Sequence, residues 1–233
     1  MLRAIVFDFD GVITDSEVLH LRSFNKVLAQ YGVEISTKDY YKDYLGLSDL
    51  DCFKALIDKK VLQKPAQGIE NLAKEKTEVF EKLAKTEGRI IEGVRDFLQM
   101  LSQNNIPMAI CSGALLAEIE LILEQARLRP FFEVIVSAEF VKKGKPNPEG
   151  FLLTLQKLNH NLRRTPDGGQ NPILPNQCIV IEDSHWGLKA AKAAGMHTIA
   201  VTNSYDASEL AMAEKIVTRL GDLSIDTLQK LCS

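Results

Sequence analysis

Five short apolar runs, each broken off by polar residues, set the tightest limit on how this chain can fold. Leu2 to Phe9, Ile106 to Cys111, Val134 to Ser137, Cys178 to Ile181 and His197 to Val201 show no regular alternation with polar side chains. Such runs fit strands buried on both faces, the condition met in parallel sheets. Helical periodicity over Leu115 to Arg127, Glu149 to Asn159 and Trp186 to Ala194 separates the later runs. Strand and helix in alternation predict an α/β fold built on a parallel sheet.

The interval between the first two runs is too long for a simple crossover, and its pattern is helical throughout. One helix is expected from about Ser16 to Tyr31, closed by Gly32; another starts at Ser48 with Asp51 three residues on; a third begins after Pro65. These readings predict a helical domain over 15–88, with the sheet domain assembled from 1–14 and 89–233. A cap over one sheet edge is the simplest geometry. His160 to Asn176 carries Gly168, Gly169, Pro166, Pro172 and Pro175 without periodicity and is expected to be a surface loop of unusual length.

A chain of 233 residues with 45% hydrophobic side chains suits one large or two small domains and excludes a disordered tail protein. At 26.0 kDa it should hide roughly 70–75% of the surface its unfolded form exposes, so no covalent staple is needed. Cys52, Cys111, Cys178 and Cys232 lie far apart in no metal-ligand spacing, which reads as reduced thiols in a cytoplasmic protein. A net charge of −3 offers no basic excess for nucleic acid or an anionic membrane. No apolar run approaches the roughly 18 residues of a membrane span, and the chain opens directly into a strand without a leader pattern. The expectation is a cytoplasmic protein with neither nucleic-acid nor membrane partners. Its oligomeric state is open and compatible with a monomer.

Ligands of open parallel sheets bind outside the carboxyl ends of the strands. There the first run delivers Asp8 and Asp10, the second Ser112 and Gly113, the fourth Glu182 and Asp183, while Lys145 follows the third. Carboxylates gathered this closely repel unless a cation sits among them or one keeps a proton. Hard oxygen ligands point to magnesium. An ammonium, a hydroxyl and backbone N–H groups beside that metal form a seat for a phosphoryl group. Asp8 is then placed to attack phosphorus, and Asp10, two residues along an extended chain, to protonate the leaving oxygen.

The segments Asp8-Phe9-Asp10-Gly11-Val12-Ile13-Thr14-Asp15, Ser112, Lys145-Pro146-Asn147-Pro148-Glu149 and Glu182-Asp183-Ser184 resemble, in order, the four motifs of the haloacid dehalogenase superfamily. The resemblance implies a Rossmann-like parallel sheet with helices on both faces and an inserted α-helical cap, as in the helical-cap phosphatases and β-phosphoglucomutase-like members. It implies that Asp8 forms an aspartyl-phosphate, that Asp10 is general acid and base, and that Ser112, Gly113 and Lys145 hold the phosphoryl group. It further implies that Asp8, Asp183 and the Asp10 carbonyl bind Mg2+, with Glu182 orienting the metal's water shell. The dehalogenases themselves lack the second acid, so Asp10 argues against that activity.

Lys76 falls on the apolar stripe Ile69, Leu72, Val79, Phe80, Leu83, and His20 shares a helix face with Phe24, Val27, Leu28 and Tyr31. A snorkelling lysine and a satisfied core histidine account for both. The resemblance instead suggests substrate contacts, since β-phosphoglucomutase-like members carry a histidine and a lysine at similar places. In those mutases an arginine follows a Gly-x-Ser turn and grips a distal phosphate; here Gly46-Leu47-Ser48 is followed by Asp49, which would repel it. The expected activity is therefore magnesium-dependent hydrolysis of a small phosphate ester, most simply a sugar phosphate. A phosphosugar mutase and a non-catalytic phosphometabolite-binding module are the alternatives. His185 and Trp186 start a helix near the site, the indole being expected to pack, and Lys54, Lys59, Lys60 and Lys64 are expected to form a solvated surface.

Overall fold

The structure, a computed structural model, describes residues 1–45, 47–162 and 171–233. It divides into two compact units, one of Met1–Asp15 and Ile90–Ser233, the other of Ser16–Arg89.

The first unit is built on a six-stranded parallel sheet. Its strands are β1 (Ala4–Phe7), β2 (Met108–Cys111), β3 (Val134–Val136), β4 (Cys178–Glu182), β5 (His197–Val201) and β6 (Lys215–Val217), in the order β3-β2-β1-β4-β5-β6. Every pairing is parallel; Val6 at the centre is registered with Ala109 on one side and Val180 on the other. All residues of β1, β2, β3 and β4 are buried, the reason those runs are unbroken by polar side chains. Val6, Ala109, Val134 and Val180 pack on one face with Phe151, Leu155 and Ala190. On the other, Phe7 meets Phe97 and Phe132 edge to face at centroid distances of 6.1 and 5.9 Å.

Strand limits differ from the sequence reading in an instructive way. The first strand stops at Phe7, not Phe9: the Phe9 carbonyl accepts from the N–H groups of Ile13 and Thr14, folding Asp10 and Gly11 into a turn. Asp8 and Asp10 therefore do not share the extended chain expected of them. The fourth strand gains Glu182, so that carboxylate leaves the sheet itself rather than the loop beyond it. The sixth strand was not expected; it has only three residues, two of them half-buried.

The second unit is helical: α1 (Glu17–Leu28), α2 (Thr37–Asp43), α3 (Asp49–Asp58) and α4 (Ile69–Glu87). After α1 a single 3-10 turn, Ala29–Tyr31, ends at Gly32 with φ 67°, a conformation that favours glycine. Ser48 caps α3 by accepting from the Asp51 N–H, as its spacing predicts. Leu21, Phe24, Leu28, Phe53, Leu56 and Leu72 form this unit's own core.

The remaining helices belong to the sheet unit: α5 (Val94–Gln103), α6 (Leu116–Gln125), α7 (Glu149–Leu162), α8 (His185–Ala193) and α9 (Ile225–Leu231). The expected loop from His160 begins later than its composition suggests, because α7 runs on through Leu162; residues 163–170 lie outside the described residues, as does Gly46. Among the described residues no helix is long and apolar enough to cross a membrane.

Candidate active site

The strand order reverses direction between β1 and β4, and a parallel sheet opens a crevice at such a point. Asp8 follows β1 and Asp183 follows β4, one on each side of it. The Asp8 N–H donates to the Ile181 carbonyl at 2.9 Å, so the ladder fixes the backbone of the first carboxylate to the strand that delivers the second.

Lys145 joins the cluster from the loop after β3. Its Nζ lies 2.8 Å from Asp8 Oδ1 and 2.6 Å from Glu182 Oε1. Burial opposes the Lys145 charge, but Asp8 and Glu182 overcome it and hold the ammonium well above its usual range. Glu182 is completely buried, and its other oxygen accepts from the N–H groups of Asp183 and Ser184 and from the Ser184 hydroxyl at 2.9 Å. With both oxygens committed, Glu182 is the fixed point against which Lys145 and the Asp183 backbone are held.

Asp183 takes a hydrogen bond on Oδ2 from Ser204 Oγ, on the chain leaving β5. Its carboxyl is raised well above the usual range by burial first, then by Asp8 and Glu182, with Ser204 working against them. Glu182 is raised by burial and Asp8 against the pull of Lys145 and Ser184. Asp8, Glu182 and Asp183 each offer an oxygen within 4.8 Å of the others. Three carboxylates against one ammonium leave an excess of negative charge that a divalent cation would neutralise, and an all-oxygen donor set suits magnesium. The residues present thus fit the metal.

Two glycines make the crowding possible. Gly11 has φ +73°, and a Cβ there would lie 1.7 Å from Asp183 Oδ2. A Cβ on Gly187, in the first turn of α8, would fall 1.8 Å from Glu182 Oε1. Gly187→Ala gains about 1 kcal/mol of helix propensity but must push Glu182 aside. We expect it to lower turnover at least about tenfold and to destabilise the fold by about 1–3 kcal/mol, measured by steady-state kinetics and thermal melting.

The other sequence-predicted residues take the following places. Asp10 is half-buried in the turn after β1, its backbone bridged to Thr14. Ser112 is buried at the end of β2, and its Oγ accepts from the Ala114 N–H at 3.0 Å, leaving the hydroxyl hydrogen to donate elsewhere. Gly113 is exposed beside it.

His20 and Lys76 lie in the helical unit and touch one another: Lys76 Nζ is 2.6 Å from His20 Nδ1 and 2.7 Å from Asp49 Oδ1. Lys76 does not snorkel. It is fully buried, with Nζ about equidistant from the Phe24 and Phe80 rings, 5.0 and 5.1 Å from their centroids. His20 stacks on Phe80 at 4.2 Å, and burial with the Lys76 charge holds its imidazole well below the usual range. A neutral His20 receiving Lys76 at Nδ1 carries its proton on Nε2.

Ser204 and Asn203 escaped the sequence reading. The inspection of strand ends that selected Asp8, Ser112 and Glu182 finds them when extended to the fifth run, which ends at Val201. His185 lies 4.4 Å from the Trp186 ring and has Tyr205 edge-on at 5.2 Å, but the indole, expected to pack, is 43% exposed.

An acid just past β1, a half-buried second acid, a buried ammonium and carboxylates that could hold a cation, gathered at a switch point, are the parts a phosphoryl-transfer site needs. The sequence profile described as haloacid dehalogenase-like hydrolase matches residues 5–201, and the chain belongs to that family. It is 30% identical over 202 residues to the phosphorylated carbohydrates phosphatase of Thermotoga maritima, covering 85% of this chain and 84% of the relative. Among solved structures it resembles CbbY from Rhodobacter sphaeroides in complex with phosphate, with a TM-score of 0.85 at 25% identity over 98% of this chain and 100% of that one. It also resembles a β-phosphoglucomutase from Clostridium difficile, with a TM-score of 0.82 at 25% identity over 100% of this chain and 97% of that one.

Proposed function

We propose that the protein hydrolyses the phosphate monoester of a small hydroxylated metabolite, in the first instance a sugar phosphate, with Asp8 as nucleophile. The observation that carries this reading is the bridge from Asp8 through Lys145 to Glu182, beside Asp183 at the switch point. A carboxylate needs no general base to attack, only relief from the charge of its target, and Lys145 is already within bonding distance of Asp8 to give it.

An Asp8 oxygen attacks phosphorus, the bond from phosphorus to the ester oxygen breaks, and Asp10 gives that oxygen its proton. Water then attacks the phosphorus of the aspartyl-phosphate, Asp10 takes up the water's proton, and inorganic phosphate leaves with Asp8 restored. Lys145 stays on the phosphoryl oxygens throughout, the Ser112 hydroxyl donates to one of them, and Gly113 exposes its N–H without a side chain in the way. Asp8, Asp183 and the Asp10 carbonyl would hold magnesium, with Glu182, its oxygens already engaged, fixing Lys145 and the Asp183 backbone beside it rather than turning the water shell. When bound, the metal supplies charge neutralisation and alignment of the phosphoryl group.

In the helical unit we assign His20 Nε2–H and the Asp49 carboxylate to hydroxyl groups of the metabolite, with Lys76, fully buried in its pair with Asp49, holding both in place. The pair also favours hydrolysis over a mutase. A mutase must hold a second phosphate, and Asp49 already compensates Lys76 at 2.7 Å, so this cluster offers a dipole and a donor rather than an uncompensated cation. Four free, buried thiols support a reducing, cytoplasmic setting.

Phosphorus NMR of the enzyme with magnesium tests the reading. The tubes hold β-glucose 1-phosphate with a trace of the 1,6-bisphosphate, and other sugar phosphates in parallel. Inorganic phosphate is the expected product. Conversion to glucose 6-phosphate without free phosphate would establish the mutase instead, and unchanged spectra throughout would point to a substrate outside the panel or to the binding module.

A further inference from the structure

We infer that Ser204 is a positioning residue that makes Asp183 present a single oxygen to its cation, biasing the site toward magnesium over calcium. The inference rests on the reading of Asp183 as a magnesium ligand and deepens it.

Asp183 Oδ2 is engaged from two sides. Ser204 Oγ donates to it, and it occupies the space that a side chain on Gly11 would fill. Ser204 is itself held in place. Asn203 Nδ2 donates to the Gly11 carbonyl at 2.6 Å, the Thr202 N–H donates to Val217 at 3.1 Å, and Tyr205 packs edge-on against His185 at 5.2 Å. Residues 202–205 thus tie the turn after β1, strand β6 and the start of α8 to one another, with the Ser204 hydroxyl aimed at the carboxylate.

A carboxylate with one oxygen engaged in this way binds a cation through the other. Magnesium is small, demands octahedral geometry and is served by monodentate carboxylates; calcium takes six to eight oxygens and readily accepts both from one carboxylate. Removing the hydroxyl frees Oδ2 to turn toward the ion. That costs magnesium its oriented ligand and gives calcium a second oxygen. Outer partners of metal ligands are typically worth about 10- to 100-fold in affinity.

Isothermal titration of the metal-free protein with magnesium and, separately, calcium provides the test, because it reads binding without turnover. Ser204→Ala should weaken magnesium at least about tenfold and calcium by less than about threefold, and Ser204→Thr, which keeps the hydroxyl, should restore the native ratio. If the alanine variant does not fold, Ser204→Cys, of similar volume and weaker donor strength, carries the same expectation. Magnesium and calcium affinities that stay native, or that fall together, overturn the inference while leaving the metal reading intact. A native protein that takes up no magnesium overturns both.

Discussion

Replacing Asp8 by asparagine should lower phosphate release by at least about 10⁴-fold, some 5.5 kcal/mol of transition-state stabilisation, while leaving the protein folded. The substitution keeps the shape and removes the nucleophilic oxygen and its charge. Lys145 retains its 2.6 Å bond to Glu182, so the ammonium is not stranded. Asp8 also raises the carboxyls of both Glu182 and Asp183, so neutralising it relieves repulsion in the cluster. The melting temperature of the metal-free variant should therefore equal or exceed that of the native protein. Acid-quenched single turnovers should show protein-bound phosphoryl group in the native enzyme and none in the variant. A variant keeping more than about one hundredth of native turnover would rule out Asp8 as the nucleophile.

Much of this site was legible because the strands that carry it are buried on both faces. Ala4–Phe7 holds no polar residue and Cys178–Glu182 none before its last, so the first acids beyond or at their ends stand out against the run. Strand β6 lacked that contrast, as it opens on Lys215 and has one fully buried residue. Helix α2 is similarly quiet, with Tyr40 the one buried side chain among seven. The partners of site residues were harder to see than the residues themselves. Lys76 was visible as a charge on an apolar stripe, but its counter-ion Asp49 lies on a different helix and stood out in sequence only as an acid that would repel a second phosphate, not as the partner of Lys76. Ser204 reaches Asp183 across 21 positions through a turn with no motif of its own. Local periodicity shows which face is buried; tertiary pairing between distant turns leaves no periodic trace.

Magnesium should stabilise the protein more strongly as pH rises from about 5 to 8, because the metal-free acidic cluster contributes less stability at the alkaline end. The folded state holds the Asp183 and Glu182 carboxyls above their ordinary values, so between the unfolded and folded values it binds more protons than the unfolded chain. Their contribution to stability then falls with pH across that interval. Lys145 does not contribute to the slope here. Its raised value means its stabilisation is fully present below the unfolded lysine value, about 10.4, and is lost only as pH climbs through the folded one. His20, held well below its ordinary value, pulls the other way within this window, as Asp51 and Glu87 do below it, but all three belong to the helical unit and not to the acidic cluster. Their effect is common to metal-free and loaded protein and cancels in the difference. Each tenfold change in proton affinity is about 1.4 kcal/mol, or roughly 3–6 °C for a chain of this size. Thermal melts at several pH values, with chelator and with magnesium, should show curves that diverge toward pH 8 and converge toward pH 5, because protons and the metal compete for the same oxygens. A magnesium-induced gain that is constant with pH, or larger at pH 5, would show that these carboxyls are not the ones the metal discharges.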